Sequence, residues 1–135
     1  MEEDEVNKLM RFGVAAVMAG SLAAGPAALA NEDDVIRRGG CTGAASWKLK
    51  LSPENGRIEV EFEVDQNKVG RRWRVTLKKN GNRFFRGIRI TTARSGSFEI
   101  RKVVGNAPGR NDLVVAKARS LRGGQLCRGS ATFRL

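Results

Sequence analysis

Apolar and polar residues alternate strictly along several segments of this chain. The alternation is clearest at positions 72–79, where Trp73, Val75 and Leu77 fall on one side of an extended chain and polar residues fall on the other. A period of two residues is that of a half-buried β-strand. The Asn-Gly pair at 80–81 follows at once and predicts a two-residue hairpin turn. We therefore expect a strand here that gives a Trp to a core and a row of cations to solvent.

The same pattern, with turn-forming residues between the segments, predicts seven short strands. They span Ser46–Leu51, Arg57–Asp65, Arg71–Lys79, Arg83–Thr92, Ser97–Val104, Asp112–Ser120 and Gln125–Leu135. A β-bulge is expected at Arg86-Gly87, where the fourth strand loses its alternation. No helical periodicity is found after residue 30. Residues 41–135 are therefore predicted to form an all-β, seven-stranded antiparallel sandwich.

The first 30 residues follow a different pattern. The uncharged apolar stretch 12–30 comes after Lys8 and Arg11 and ends in Ala-Leu-Ala. These features are typical of a cleaved secretory signal peptide helix. A transmembrane anchor is the less favoured alternative, because Gly and Pro interrupt a run that barely reaches spanning length. The acidic residues before Lys8 suit a signal peptide poorly, and a translation start at Met10 would remove them.

Two expectations follow for the chain after residue 30. The domain should be secreted and extracellular, and the polar, charged residues 31–40 should form a flexible leader before it. In an oxidising compartment Cys41 and Cys127 are expected to form a disulfide, which would link the first and last predicted strands.

The composition excludes several kinds of chemistry. The chain has no His and only 2 Cys. Without His there is no His-dependent catalytic triad and no His metal ligand, and two cysteines are too few for a structural zinc site. We therefore expect no cofactor, no bound metal and no enzymatic activity.

The chain has a net charge of +11. We expect the two sheets to differ in the charged side chains on their outer faces. We assume that the third, sixth and seventh predicted strands form one sheet and that the first, second and fifth form the other. The outer face of the first sheet then has cations but no acidic residue. Its cations are Arg72, Arg74, Lys78, Lys117, Arg119, Arg128 and Arg134.

The other sheet mixes both signs of charge. Lys48, Lys50 and Arg101 would lie beside the carboxylates of Glu59, Glu61, Glu63 and Glu99. A carboxylate cluster could serve acid–base chemistry or bind Ca²⁺. Cross-strand ion pairs on an exposed face are the favoured interpretation.

The third predicted strand and its turn, WRVTLKKNGN, resemble the Trp-bearing strand of immunoglobulin and fibronectin type III sandwiches. The chain also resembles small secreted β-sandwich proteins of actinobacteria, most of them uncharacterised. The resemblance implies an Ig-like fold and little about function. The chain departs from true immunoglobulin domains, because the second and sixth predicted strands lack Cys and no Tyr is present for a tyrosine corner.

The sequence therefore predicts a secreted, non-catalytic, monomeric binding module. Its basic sheet face would bind an anionic polymer, an anionic surface or an acidic protein. Aromatic residues do not interleave with the cations, which favours phosphate or carboxylate contacts over base stacking. Simple solubility explains the cations equally well. The alternative function is a structural protein, or an enzyme inhibitor that presents the loop 105–111.

Overall fold

The computed structural model describes residues 33–92, 94–106, 109 and 111–134. The predicted signal peptide, residues 1–30, lies outside them. The described residues form eight β-strands. These are Val35–Gly40 (β1), Ser46–Glu54 (β2), Arg57–Asp65 (β3), Arg72–Lys79 (β4), Asn82–Ile90 (β5), Ser97–Val104 (β6), Asn111–Ser120 (β7) and Leu126–Arg134 (β8). No helix in this part of the chain is long and apolar enough to cross a membrane.

The strands form two four-stranded antiparallel sheets, with the orders β1-β2-β3-β6 and β5-β4-β7-β8. The prediction of an all-β domain is therefore confirmed for the described residues, and the two sheets have a sandwich-like arrangement with a shared core. The assumed division of the strands is also correct. The third, sixth and seventh predicted strands are β4, β7 and β8, and the first, second and fifth are β2, β3 and β6.

Strand β1 corrects the prediction of a flexible leader over residues 31–40. It pairs with β2 along its whole length, with Val35 opposite Leu51 and Gly39 opposite Trp47. Because β1 is an edge strand and its inward row contains a cation and a glycine, its sequence has no regular apolar alternation. The prediction of seven strands was therefore one short.

The β-bulge lies elsewhere than predicted. Arg86 and Gly87 pair regularly with β4, and the register shifts where Leu77 faces Phe85 and Lys78 faces Arg83. Phe84 is thus the extra residue. Since both Phe84 and Phe85 pack against the core, regular alternation cannot hold at this point, and the bulge accommodates it.

Two Asn-Gly turns close the hairpins β2–β3 and β4–β5. Asn55 and Gly56 have φ values of 50° and 76°, and Asn80 and Gly81 have values of 50° and 83°. Positive φ at both central residues is the type I′ geometry, which matches the twist of the flanking strands. The hairpin predicted after the Trp73 strand is confirmed.

The core takes side chains from both sheets. Trp73, Val75 and Leu77 of β4 are fully buried, as expected from the alternation. The Trp73 ring centroid lies 6.4 Å from that of Phe98 on β6, in the other sheet. The indole Nε1–H of Trp73 donates to Oε1 of Gln66 at 3.0 Å, so its one polar group is not left unsatisfied in the core.

Trp47 fills the space between β1 and β8, which are edge strands of different sheets. A Cβ atom at Gly39 of β1 would lie 2.8 Å from the Trp47 ring, and one at Gly129 of β8 would lie 2.4 Å from it. The indole therefore occupies space that any other residue at these positions would fill. The two glycines allow one large aromatic ring to pack against both sheets.

The Cys41–Cys127 disulfide, predicted from the sequence, is present. It links the β1–β2 connection to β8, which lies in the other sheet from β2. Two hydrogen bonds support the link, from the Thr42 N–H to the Leu126 carbonyl and from the Leu126 N–H to Thr42 Oγ1. A loop with a separation of 86 residues corresponds to about 4–5 kcal/mol of lost unfolded-state entropy. Such a disulfide fits an oxidising environment.

The Trp47 packing predicts that Gly129→Ala destabilises the fold by about 1–3 kcal/mol, because the added methyl group must displace the partly buried Trp47 ring. Urea unfolding would measure the loss. Gly40→Ala is the matched control, since nothing lies within 4 Å of its Cβ position, and it should unfold like wild type. The interpretation also requires that Trp47→Leu removes much of the Gly129→Ala effect, so additive costs in the double variant would contradict it.

Candidate functional site

A continuous basic face covers the outside of the sheet β5-β4-β7-β8. In β4, β7 and β8 its cations alternate in sequence with buried residues of the core, which sets their outward direction. We define the basic face by its cations, which are Arg72, Arg74, Lys78, Arg83, Arg86, Lys117, Arg119 and Arg128. All eight of these side chains are exposed.

The register places these cations in rows across the strands. Arg74 lies directly opposite Arg119. In the next row Thr76 has Arg86 on one side and Lys117 on the other, and Lys117 is opposite Arg128. Neighbouring strands lie about 4.7–4.9 Å apart, so each row is a closely spaced line of positive charge.

A depression of about 340 Å³ opens in the middle of the basic face. Its lining combines most of the face's cations with one hydroxyl. The lining residues are Arg74, Thr76, Lys78, Arg83, Arg86, Lys117 and Arg119. Guanidinium and ammonium groups around a hydroxyl are suited to phosphate, sulfate or carboxylate oxygens.

No carboxylate of the described residues neutralises the basic face. The only acidic residue in strands β4, β5, β7 and β8 is Asp112. Its side chain is fully buried, where its Oδ1 lies 3.5 Å from Lys79 Nζ and accepts a 2.8 Å hydrogen bond from Asn80 Nδ2. Within the described ranges, no cation of the basic face forms an ion pair.

Six of the seven predicted residues lie together on this face, and Arg134 lies apart from them. Arg134 is opposite Asn111 at the far end of the sheet and borders a separate groove with Val35 and Arg37. The prediction also missed Arg83 and Arg86. Because the Asn-Gly turn already predicted that β5 pairs with β4, the hairpin could have found Arg83 opposite Lys78. It could not have found Arg86, which reaches the outer face only because of the bulge at Phe84.

The outer face of the other sheet has a different charge pattern. Lys48 lies 3.9 Å from Glu63, Lys50 lies 3.9 Å from Glu61, and the two terminal nitrogens of Arg101 lie 3.6 and 3.5 Å from Glu59 and Glu61. The predicted cross-strand partners are confirmed. No group of three or more acidic or Cys side chains in the described part of the chain could hold a metal ion.

Glu99 is the carboxylate that this network compensates least. It lies directly opposite Glu63 on the neighbouring strand and 3.6 Å from Arg101. Partial burial raises the pKa of its carboxyl above the ordinary value, and repulsion from Glu61 raises the pKa further, while Arg101 lowers it. Around Glu99 the carboxylates of this face therefore outnumber the cations. Among the described residues, the outer face of the opposite sheet has unpaired cations instead.

The loop 105–111, predicted as an inhibitory loop in the alternative function, is described only in part. Lys79 Nζ donates to the Gly105 carbonyl at 2.6 Å, which ties the start of this loop to β4.

Comparisons of the chain with protein-family models, with curated proteins and with solved structures each gave no match.

The raised pKa of Glu99 predicts the sign of a pH effect. Between its unfolded and folded pKa values the folded state holds more protons, so the stability that protonated Glu99 contributes is lost as the pH rises through the folded pKa. Glu99→Gln, which keeps the neutral form, should therefore raise the Tm at pH 7 and give no gain near pH 3. Thermal unfolding across this range would measure it.

Glu54→Gln is the control, because it removes the same charge from an exposed position at the end of β2. It should leave the Tm close to wild type at both pH values. A Glu99→Gln variant that is less stable than wild type at pH 7 would show that its contact with Arg101 outweighs the repulsion.

Proposed function

We propose that this protein is a secreted, non-catalytic binding module whose basic face binds an anionic polymer or an anionic surface. One observation carries the proposal. The cations of the basic face have no carboxylate partners among the described residues, whereas Lys48, Lys50 and Arg101 of the other sheet are ion-paired. Solubility alone requires no such separation, since interspersed charges serve it equally well.

Repulsion between neighbouring cations of the basic face destabilises the free protein, and an anionic ligand would relieve it. Like charges directly opposite each other in a sheet, such as Arg74 and Arg119, destabilise the pairing by up to about 1 kcal/mol. A polyanion that supplies oxygens to several rows at once would remove this repulsion and release its own counterions. The ligand class is therefore a repeating array of phosphate, sulfate or carboxylate groups.

Secretion is part of this proposal. The apolar segment 12–30, with cations before it and Ala-Leu-Ala at its end, supports a cleaved signal peptide. The Cys41–Cys127 disulfide supports an extracellular location.

We also propose that the sandwich has an Ig-like fold. With β2 taken as the first strand, the orders β2-β3-β6 and β5-β4-β7-β8 read A-B-E and C′-C-F-G, with β1 added at an edge. This order supports the Ig-like assignment. The disulfide departs from immunoglobulin domains, because it does not join the second and sixth strands of this scheme.

Heparin chromatography tests the basic face. The triple variant Arg74→Ser, Lys117→Ser, Arg119→Ser should elute from heparin at a lower NaCl concentration than wild type. The slope of log Kd against log [NaCl] should become shallower by up to about 3, since each lost contact removes about one released counterion. Circular dichroism and thermal unfolding would show that both proteins are folded.

The matched control is Arg37→Ser, Arg38→Ser, Arg57→Ser, which makes the same change in net charge at exposed positions of the other sheet. It should elute close to wild type. Equal shifts for the two triple variants would mean that net charge alone determines retention, and the basic face would then have no special role.

Secretion predicts the start of the mature chain. When the full sequence is expressed in a secreting bacterial host, the protein in the medium or periplasm should begin at Asn31, directly after Ala-Leu-Ala. N-terminal sequencing or intact mass spectrometry would measure this. A cell-bound protein with an uncleaved N-terminal segment would instead support the membrane anchor.

A further inference from the structure

Four connections meet at one end of the sandwich, which we call the loop end. They join β1 to β2, β3 to β4, β5 to β6 and β7 to β8, and they cover residues 41–45, 66–71, 91–96 and 121–125. Their sequences contain Lys68, Arg71, Arg94 and Arg122 but no Asp or Glu. The nearest acidic residue in sequence is Asp65, the last residue of β3, which accepts the Asn67 N–H. The loop end is therefore basic and continuous with the Arg72 end of the basic face.

Aliphatic side chains project to solvent beside these cations. Val69 is 57% exposed, Ile90 is 49% exposed and Leu121 is 45% exposed. The register places Ile90 opposite Arg72, and the Leu121 N–H donates to the Arg72 carbonyl at 2.9 Å. Ile90, Arg72 and Leu121 thus form one row at the boundary between the basic face and the loop end.

The loop end is held in place by hydrogen bonds between its connections. Thr91 is 1% exposed, its hydroxyl donates to the Lys68 carbonyl at 2.5 Å, and the same hydroxyl accepts the Arg71 N–H at 2.9 Å. The Gly70 N–H also donates to the Thr91 carbonyl at 2.8 Å. These bonds join the β3–β4 and β5–β6 connections and hold Val69 at the tip between Lys68 and Gly70.

A small basic depression of about 290 Å³ lies between the loop end and the basic face. Its lining is Gly70, Arg71, Arg72, Ser120, Leu121 and Arg122. Three of these six residues are arginines, and the lining contains no acidic residue. Guanidinium groups around a depression are suited to an anionic oxygen that enters it.

We propose that the loop end docks on an anionic phospholipid bilayer, with Val69 and Leu121 entering the boundary between headgroups and acyl chains. Lys68, Arg71 and Arg122 contact the lipid phosphates, and one phosphate occupies the depression beside Arg71. An anionic bilayer surface complements exposed aliphatic groups that have cations beside them, because it offers both an apolar phase and negative charge. A soluble polyanion offers only the charge. This inference goes beyond the proposed function, because it gives the loop end a lipid surface of its own in addition to the ligand of the basic face.

Vesicle sedimentation tests the inference, with the disulfide-intact protein and two lipid compositions. Wild type should sediment with vesicles that contain about 30% phosphatidylglycerol and not with vesicles of phosphatidylcholine alone. Val69→Ser, Leu121→Ser should lower the partition coefficient for the anionic vesicles roughly tenfold, because two half-exposed aliphatic groups lose their apolar contact. The same variant should elute from heparin as wild type does.

The matched control is Val103→Ser, Leu113→Ser, which removes two exposed aliphatic groups of 38% and 43% exposure from strands at the opposite end of the sandwich. It should keep the wild-type partition coefficient to within about twofold. As a second measurement, a Trp at position 69 (Val69→Trp) should be quenched by brominated lipid in the anionic vesicles. A Trp at position 103 (Val103→Trp) should not be quenched.

The outcomes separate this inference from the proposed function. Binding to heparin or duplex DNA without binding to anionic vesicles would overturn the inference and leave the basic face intact. Vesicle binding that Val69→Ser, Leu121→Ser leaves unchanged would overturn the loop-end docking in the same way. Loss of vesicle binding at high salt together with quenching at position 69 would support it. A protein that binds neither heparin nor vesicles would contradict both proposals.

Discussion

Trp73, Val75 and Leu77 have no exposed surface, and their burial holds the residues between them on the opposite side of β4. Because the side-chain period of a strand is two, a slip of one residue would expose the indole and bury Arg72, Arg74 and Lys78. The hydrogen bond from the Trp73 indole to Gln66 adds a further constraint, since it is made only in this register. The outward direction of the cations is thus enforced by the apolar residues next to them in sequence.

The two sheets differ in how charged side chains face each other across neighbouring strands. In the sheet that contains β3, cations and carboxylates face each other across neighbouring strands, and Lys50 and Arg101 flank Glu61 from both sides. In the sheet that contains β4, cations such as Lys117 and Arg128 face each other directly. A fold under selection for stability alone gains from the first arrangement and loses from the second. The difference between the sheets is the reason to look for a ligand on the second.

Much of the architecture could be predicted from the sequence because one face of most strands is fully buried. The strands β3 and β4, the Asn-Gly hairpin and the Cys41–Cys127 pairing follow from local alternation, turn chemistry and compartment. Strand β1 could not be predicted in this way. It is an edge strand, and the feature that fits it to the fold is Gly39 beneath the Trp47 ring. That contact joins residues on different strands, so no local pattern records it.

The candidate site could likewise be predicted only in part from local sequence patterns. Local alternation assigned Arg72, Arg74, Lys117 and Arg119 to one face, but it could not place Arg86, because the bulge at Phe84 shifts the register of β5. The alternation of apolar and polar residues could not predict the loop end at all. Its residues belong to different connections, which strand pairing and hydrogen bonds such as those of Thr91 bring together.

The positions of the two basic surfaces also constrain how they could act together. They meet along the row of Ile90, Arg72 and Leu121, where the strands end and the connections begin. A flat bilayer that contacts the connections reaches this row first and does not extend along the outside of the sheet. On our proposal, Lys117 and Arg128, further along the strands, would then stay open to a soluble polyanion while the loop end is seated on lipid. A protein of this design could hold an anionic polymer beside a membrane, because each surface presents its own cations and the rigid sandwich fixes the distance between them.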